Sequence, residues 1–282
     1  TDGQPFSVVS FTSLSVNASI AVKGKEVRIV GSLLDDRAVG VGNRSVNLYR
    51  LDRWDGNYNS LSSSGGLGAY IGTAVTNSIG KFTFTDYTVE ERMNVGSVWV
   101  VARFAGSEEF PYGLSGIRFL PNDAFMPMIS TPDKLIITSE TAVVLENVPD
   151  FLVRNGEARI TGKLLESYRG KYDQTRGIPG QTVTAYLKQG EEVFKMGATR
   201  TKSDPNLPEF NGYFEIKTQN VPSKLTVGNV EVIVDFEPEI SAEGVPLYQT
   251  SSNKTIAEVW SSTRVKEVYF GPVDSSDPAD GR

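Results

Sequence analysis

The groups with most chemical capacity in this sequence are carboxylates and aromatic rings, because its 282 residues contain no histidine and no cysteine. Without imidazole no side-chain base titrates near neutrality, and a Ser/His/Asp triad is excluded. Without thiol there is no thiolate nucleophile, zinc–thiolate cluster or disulfide. A carboxylate pair, a Ser/Lys catalyst or an all-oxygen calcium site remain chemically open. Calcium would find oxygen ligands at Asp35 with Asp36, at Glu108 with Glu109, and at Glu237, Glu239 and Glu243. None of these lies in a loop of alternating Asp and Asn, so calcium is the one cofactor to consider and no calcium loop is spelled out. No catalytic residue is proposed.

The aromatics suggest a different chemistry. Trp54, Tyr58 and Tyr70 lie in or beside a Ser/Gly-rich insertion at 50–68, and such rings could stack on sugars. The plainer expectation is that they cover a sheet edge or a neighbouring domain, since contiguous exposed aromatics are rare. The sequons opening at Asn17, Asn43 and Asn253 permit N-glycosylation in a host with the machinery. Near the N-terminus, Phe6, Val8, Val9 and Phe11 are too apolar for a solvated tail. They are expected either to start the chain's own first strand or to add to an open sheet edge of another copy. A polar, partly basic segment at 166–177 reads as a solvated loop or an assembly contact.

These residues must be positioned by elements that occur twice. Arg28-Ile29-Val30-Gly31-Ser32-Leu33-Leu34 is answered by Arg159-Ile160-Thr161-Gly162-Lys163-Leu164-Leu165. In the same order, Gly40 to Tyr49 matches Gly177 to Tyr186, Gly80-Lys81-Phe82 matches Gly212-Tyr213-Phe214, and Val95 to Phe104 matches Val227 to Phe236. The blocks are ungapped and the segments between them vary in length, as duplicated strands joined by variable loops do. Within a block every second residue is apolar: Val98, Val100, Ala102 and Phe104, then Val230, Val232, Val234 and Phe236. That alternation predicts half-buried strands, and the near absence of helical periodicity predicts an all-β chain of two tandem immunoglobulin-like β-sandwich domains. Pro121, Asn122 and Pro127 interrupt the pattern, which puts one domain at 1–126 and the other at 127–282, with Leu135 to Leu145 as the opening strand of the second.

Charge and length narrow the partners. There are 28 Lys and Arg against 34 Asp and Glu, a net charge of −6, and no basic stripe that would track a nucleic acid backbone. No apolar run is long enough to span a membrane as a helix. The chain starts at Thr1 rather than Met, as a processed secretory product or a trimmed chain would.

The order I-x-G-x-L, G-x-P/G-x-x-x-V-x-x-Y, G-x-A/T-x-T, G-x-F, then V-G-x-V-x-V-x-x-x-F resembles the tandem Ig-like repeats of prokaryotic surface proteins. These include carboxypeptidase-regulatory-like and CnaB-type domains. The phrase E-x-x-x-P-x-G-Y of isopeptide-bonded CnaB domains is absent, so no isopeptide is carried over. The resemblance implies a non-catalytic, extracellular, cell-surface structural protein: a subunit of a surface layer, filament or adhesin stalk. Its partners would be itself, other surface proteins or glycans. The rival expectation is a carbohydrate-binding or spacer module of a secreted hydrolase.

Overall fold

The computed structural model describes residues 10–57, 61, 67–106, 125–203, 207 and 210–262. Its regular elements are all strands. The first nine are β1 (Thr12–Asn17), β2 (Ile20–Val22), β3 (Glu26–Asp35), β4 (Ser45–Leu51), β5 (Ala69–Val75), β6 (Lys81–Thr88), β7 (Gly96–Phe104), β8 (Met128–Ile129) and β9 (Asp133–Thr138). They form a sheet in the order β1-β3-β6 facing a sheet in the order β2-β9-β7-β4-β5, with β8 paired to β7. The inward residues of both sheets, among them Ile29, Leu33, Leu48, Phe82, Val100 and Leu135, bury in one core.

The remaining strands are β10 (Glu140–Asn147), β11 (Phe151–Val153), β12 (Ala158–Tyr168), β13 (Lys171–Gly177), β14 (Thr182–Gln189), β15 (Glu192–Arg200), β16 (Tyr213–Thr218), β17 (Gly228–Phe236) and β18 (Ser251–Trp260). Sheet β10-β12-β16 faces sheet β11-β18-β17-β14-β15, and β13 extends β12 as a hairpin. Ile160, Leu164, Leu187, Phe214 and Val232 lie in this second core. The chain is therefore all-β and builds the same immunoglobulin-like sandwich twice.

The repetition extends to single hydrogen bonds. Gly80 and Gly212 both take positive φ, +74° and +76°, and a Cβ there would sit 2.3 Å from the carbonyl oxygen of Leu33 or Leu164. That approach lets the glycine carbonyls accept from the Leu33 and Leu164 amides, each at 2.8 Å. Buried Thr76 donates its hydroxyl to the Val41 carbonyl at 2.8 Å and accepts from the Arg44 amide. Thr201 repeats this with Ile178 at 2.7 Å and Gln181.

Residues 133–138, expected on the second side of a break at 126/127, pair with β7 and with β2 and bury Leu135 and Ile137 in the first core. Thr138 ends β9 and Glu140 starts β10, so one residue, Ser139, separates the two sandwiches. The sequence hides this change because one apolar rhythm runs from Leu135 into Leu145 without a turn residue between the strands.

Candidate functional site at the joint of the two sandwiches

With a single residue between strands, the two sandwiches must meet, and the contact is built from a turn on one and a hairpin on the other. The turn joins β2 to β3. The Gly24 amide donates to Val89 O and the Lys23 amide to Thr138 O, both at 2.9 Å. Lys23 follows Ala21 on the inward parity of its strand and is only 4% exposed. The hairpin is β12–β13, closed by Arg169 and Gly170, both at positive φ, 52° and 75°. Two consecutive positive-φ residues are what a two-residue hairpin turn of matching twist needs.

The hairpin reaches over the turn. Glu166 accepts from Lys23 Nζ at 2.8 Å. Arg176 lies 3.7 Å from the same carboxylate, donates to Glu91 O at 2.8 Å and sits 3.5 Å from the Glu91 carboxylate. Arg169 Nε donates to Gly24 O at 3.1 Å, and the Tyr168 ring packs so closely that a Cβ on Gly24 would lie 2.9 Å from it. Two cations and two carboxylates thus neutralise one another, which desolvated charges require. Outside this cluster, Lys25 pairs with Glu140 at 2.5 Å and Lys134 with Glu243 at 2.7 Å.

The backbone closes the joint. Ser139 is fully buried; its amide donates to Leu247 O at 3.0 Å and its carbonyl accepts from the Gln249 amide at 2.9 Å. Next to it, burial pushes the Tyr248 phenol up to about 12, with the Glu166 charge adding to the shift, so its hydroxyl stays protonated at physiological pH. The Lys134 ammonium holds the Glu243 carboxyl below its ordinary range. The arrangement fixes one body against another.

The segment at 166–177 is thus a hairpin gripping the first sandwich, not a free loop. Sequence reasoning did not single out Lys23, although a lysine continuing the inward parity of Ala21 is a readable signal. The other named residues lie elsewhere. Asp35 accepts from the amides of Val39, at 2.7 Å, and Arg37, which lower its pKa, and Asp36 accepts from Ser10 Oγ at 2.8 Å. Asp35 therefore caps its own turn, while Glu108 and Glu109 fall outside the described residues. Among the described residues no three acidic groups gather as a metal site would require.

Trp54 meets Trp99 edge to face at 5.2 Å, and Tyr70 meets Tyr49 at 5.6 Å. With Leu61 and Leu67, Trp54 covers Leu51 and Val101 on the outer face of the first sandwich. Tyr58 is outside the described residues. Asn17 and Asn43 are exposed, and the Asn253 amide donates to Val143 O at 2.8 Å. Phe11 is 66% exposed; Phe6, Val8 and Val9 are outside the described residues.

The fold and the joint together define a class: an all-β chain of two immunoglobulin-like sandwiches locked end to end. No protein-family model matches the chain, and no curated protein matches it. Among solved structures it is similar to fibronectin(III)-like modules of Clostridium thermocellum CbhA, at 14% identity over 92% of this chain and 99% of that one, with a TM-score of 0.29. It is similar to the Escherichia coli adhesin FdeC at 11% identity over 88% of this chain, TM-score 0.41, and to a three-Ig segment of titin at 11% over 89%, TM-score 0.41. The chain spans 64% of that adhesin structure and 66% of that titin segment.

Proposed function

We propose that this chain is a non-catalytic extracellular structural module, a stiff segment of a cell-surface layer, filament or adhesin stalk. The observation that carries this reading is the joint: one buried residue, Ser139, between strands, and the Lys23–Glu166–Arg176–Glu91 cluster across the contact. A module that only tethers needs a flexible linker, whereas one that holds distance or transmits force needs its domains fixed. The surface setting rests on the resemblance to tandem Ig-like repeats of prokaryotic surface proteins. A sugar-stacking role for Trp54 finds no support in its surroundings, because that ring packs on Trp99.

Small-angle scattering of the full chain, extrapolated to zero concentration, tests the reading. One fixed arrangement of the two sandwiches, unchanged from low to moderate salt, is expected. A curve that fits only freely reorienting sandwiches overturns it.

A further inference from the structure

The receiving turn and the backbone closure of the joint, though not its hairpin, recur at the outer ends of the two sandwiches. At the far end of the second sandwich, the Asn155 amide donates to Val221 O at 2.9 Å and the Arg154 amide to Trp260 O at 3.0 Å. These are the bonds that Gly24 and Lys23 make to Val89 and Thr138 in the turn that receives the hairpin. At the near end of the first sandwich, Met126 N donates to Ser10 O at 3.0 Å and Thr12 Oγ1 to Met126 O at 2.9 Å. Gln249 with Ser139 and Thr141 with Gln249 do the same at the joint, at 2.9 and 2.8 Å.

We propose that a second copy of this chain docks its first sandwich, head to tail, on the far end of the second sandwich. The inference rests on the structural reading above and names its partner. Charge supports it. Arg154 stands where Lys23 stands at the joint, and among the described residues it has no carboxylate partner, only the Leu225 carbonyl at 3.5 Å. The head presents Asp36 beside Asp35, and Asp35 occupies the strand position of Glu166. Apolar surface supports it too. Phe151 and Trp260 stack at 5.0 Å on the tail while 53% and 51% exposed, and Phe11, 66% exposed, stands on the head where Glu140 stands at the joint. The Lys25–Glu140 ion pair of the joint is thereby replaced by Gly156 on one side and an aromatic on the other. A receiving turn on one end and a different surface on the other make a heterologous contact, which propagates into an open filament wherever its rotation does not close a ring.

Sedimentation velocity of the full chain over a wide concentration range tests this. The expected result is concentration-dependent growth into linear species, weakened at least about tenfold by Arg154→Glu or by Asp36→Arg alone. The double variant, which restores opposite charges, recovers most of the association, and that recovery also shows that the single variants fold. Monomers at every concentration would overturn the proposal. Single variants that associate like the parent, or a double variant that fails to recover, would overturn it as well. A chain that scatters as one fixed arrangement yet stays monomeric loses this inference and keeps the structural reading.

Discussion

Lys23 of the first sandwich reaches Glu166 of the second at 2.8 Å, with the lysine 4% and the glutamate 18% exposed. The two partners are not equivalent. Removing the lysine leaves Glu166 beside Arg176, whereas removing the carboxylate leaves a buried ammonium with no other carboxylate in ion-pair distance among the described residues. Glu166→Gln is expected to cost about 2–4 kcal/mol and Lys23→Met less than about 1.5 kcal/mol, since an unpaired buried charge costs more than an absent pair. Urea denaturation of both variants measures the order, and equal losses would contradict the asymmetry.

Gly31 lies across the sheet from Phe82, and Gly162 from Phe214. A Cβ at either position would fall within 2.6 Å of the facing ring and within 2.3 Å of a carbonyl oxygen, Ser15 O or Val144 O. Each Gly→Ala change is expected to destabilise its own sandwich by about 1–3 kcal/mol through overpacking. Adding Phe82→Leu should return only part of the loss from Gly31→Ala, because the backbone contact remains. Full recovery would assign the whole cost to the ring.

Glu243, whose folded carboxyl is held below its ordinary 4.5 by the Lys134 ammonium, gives the joint a pH dependence. A carboxylate with a lowered folded pKa stabilises the folded state above its unfolded value. That contribution fades as pH falls through the folded value. Wild type should therefore exceed Glu243→Gln in thermal stability at neutral pH, and the gap should close in acid below the ordinary carboxylate range. A gap that persists there would rule out the ion pair as its source.

Trp54→Ala uncovers Trp99, Leu51 and Val101. A loss of about 1–3 kcal/mol in the first sandwich is expected, below the cost for a fully buried tryptophan because this ring is half-buried. Binding to a glycan array should not change. Sugar binding abolished at unaltered stability would restore the platform role.

The strands were legible because their signals are local. Val98, Val100 and Phe104 alternate within one segment, and Gly80 and Gly212 mark their turns without reference to distant residues. The joint was not legible, because its determinants are far apart in the chain. Lys23 is neutralised by a residue 143 positions away, and nothing near it announces the partner. The end of the first sandwich was misplaced for the opposite reason: β9 and β10 follow each other with one alternation and only Ser139 between them, so periodicity carries no mark where the core changes.

Within each sandwich a short strand near that sandwich's start runs parallel to its last one, Ile20–Val22 beside Ile136–Thr138 and Phe151–Val153 beside Glu258–Trp260. When the two ends of a sandwich are drawn apart, antiparallel neighbours joined by a turn can unzip one bond at a time. Parallel strands pulled in opposite directions slide, and their bonds, lying across the pull, are sheared together. Resistance to pulling is governed by the unfolding rate rather than by equilibrium stability. Three residue pairs in each sandwich are thus expected to set the force at which it gives way, ahead of the larger core behind them, and pulling on single chains measures it.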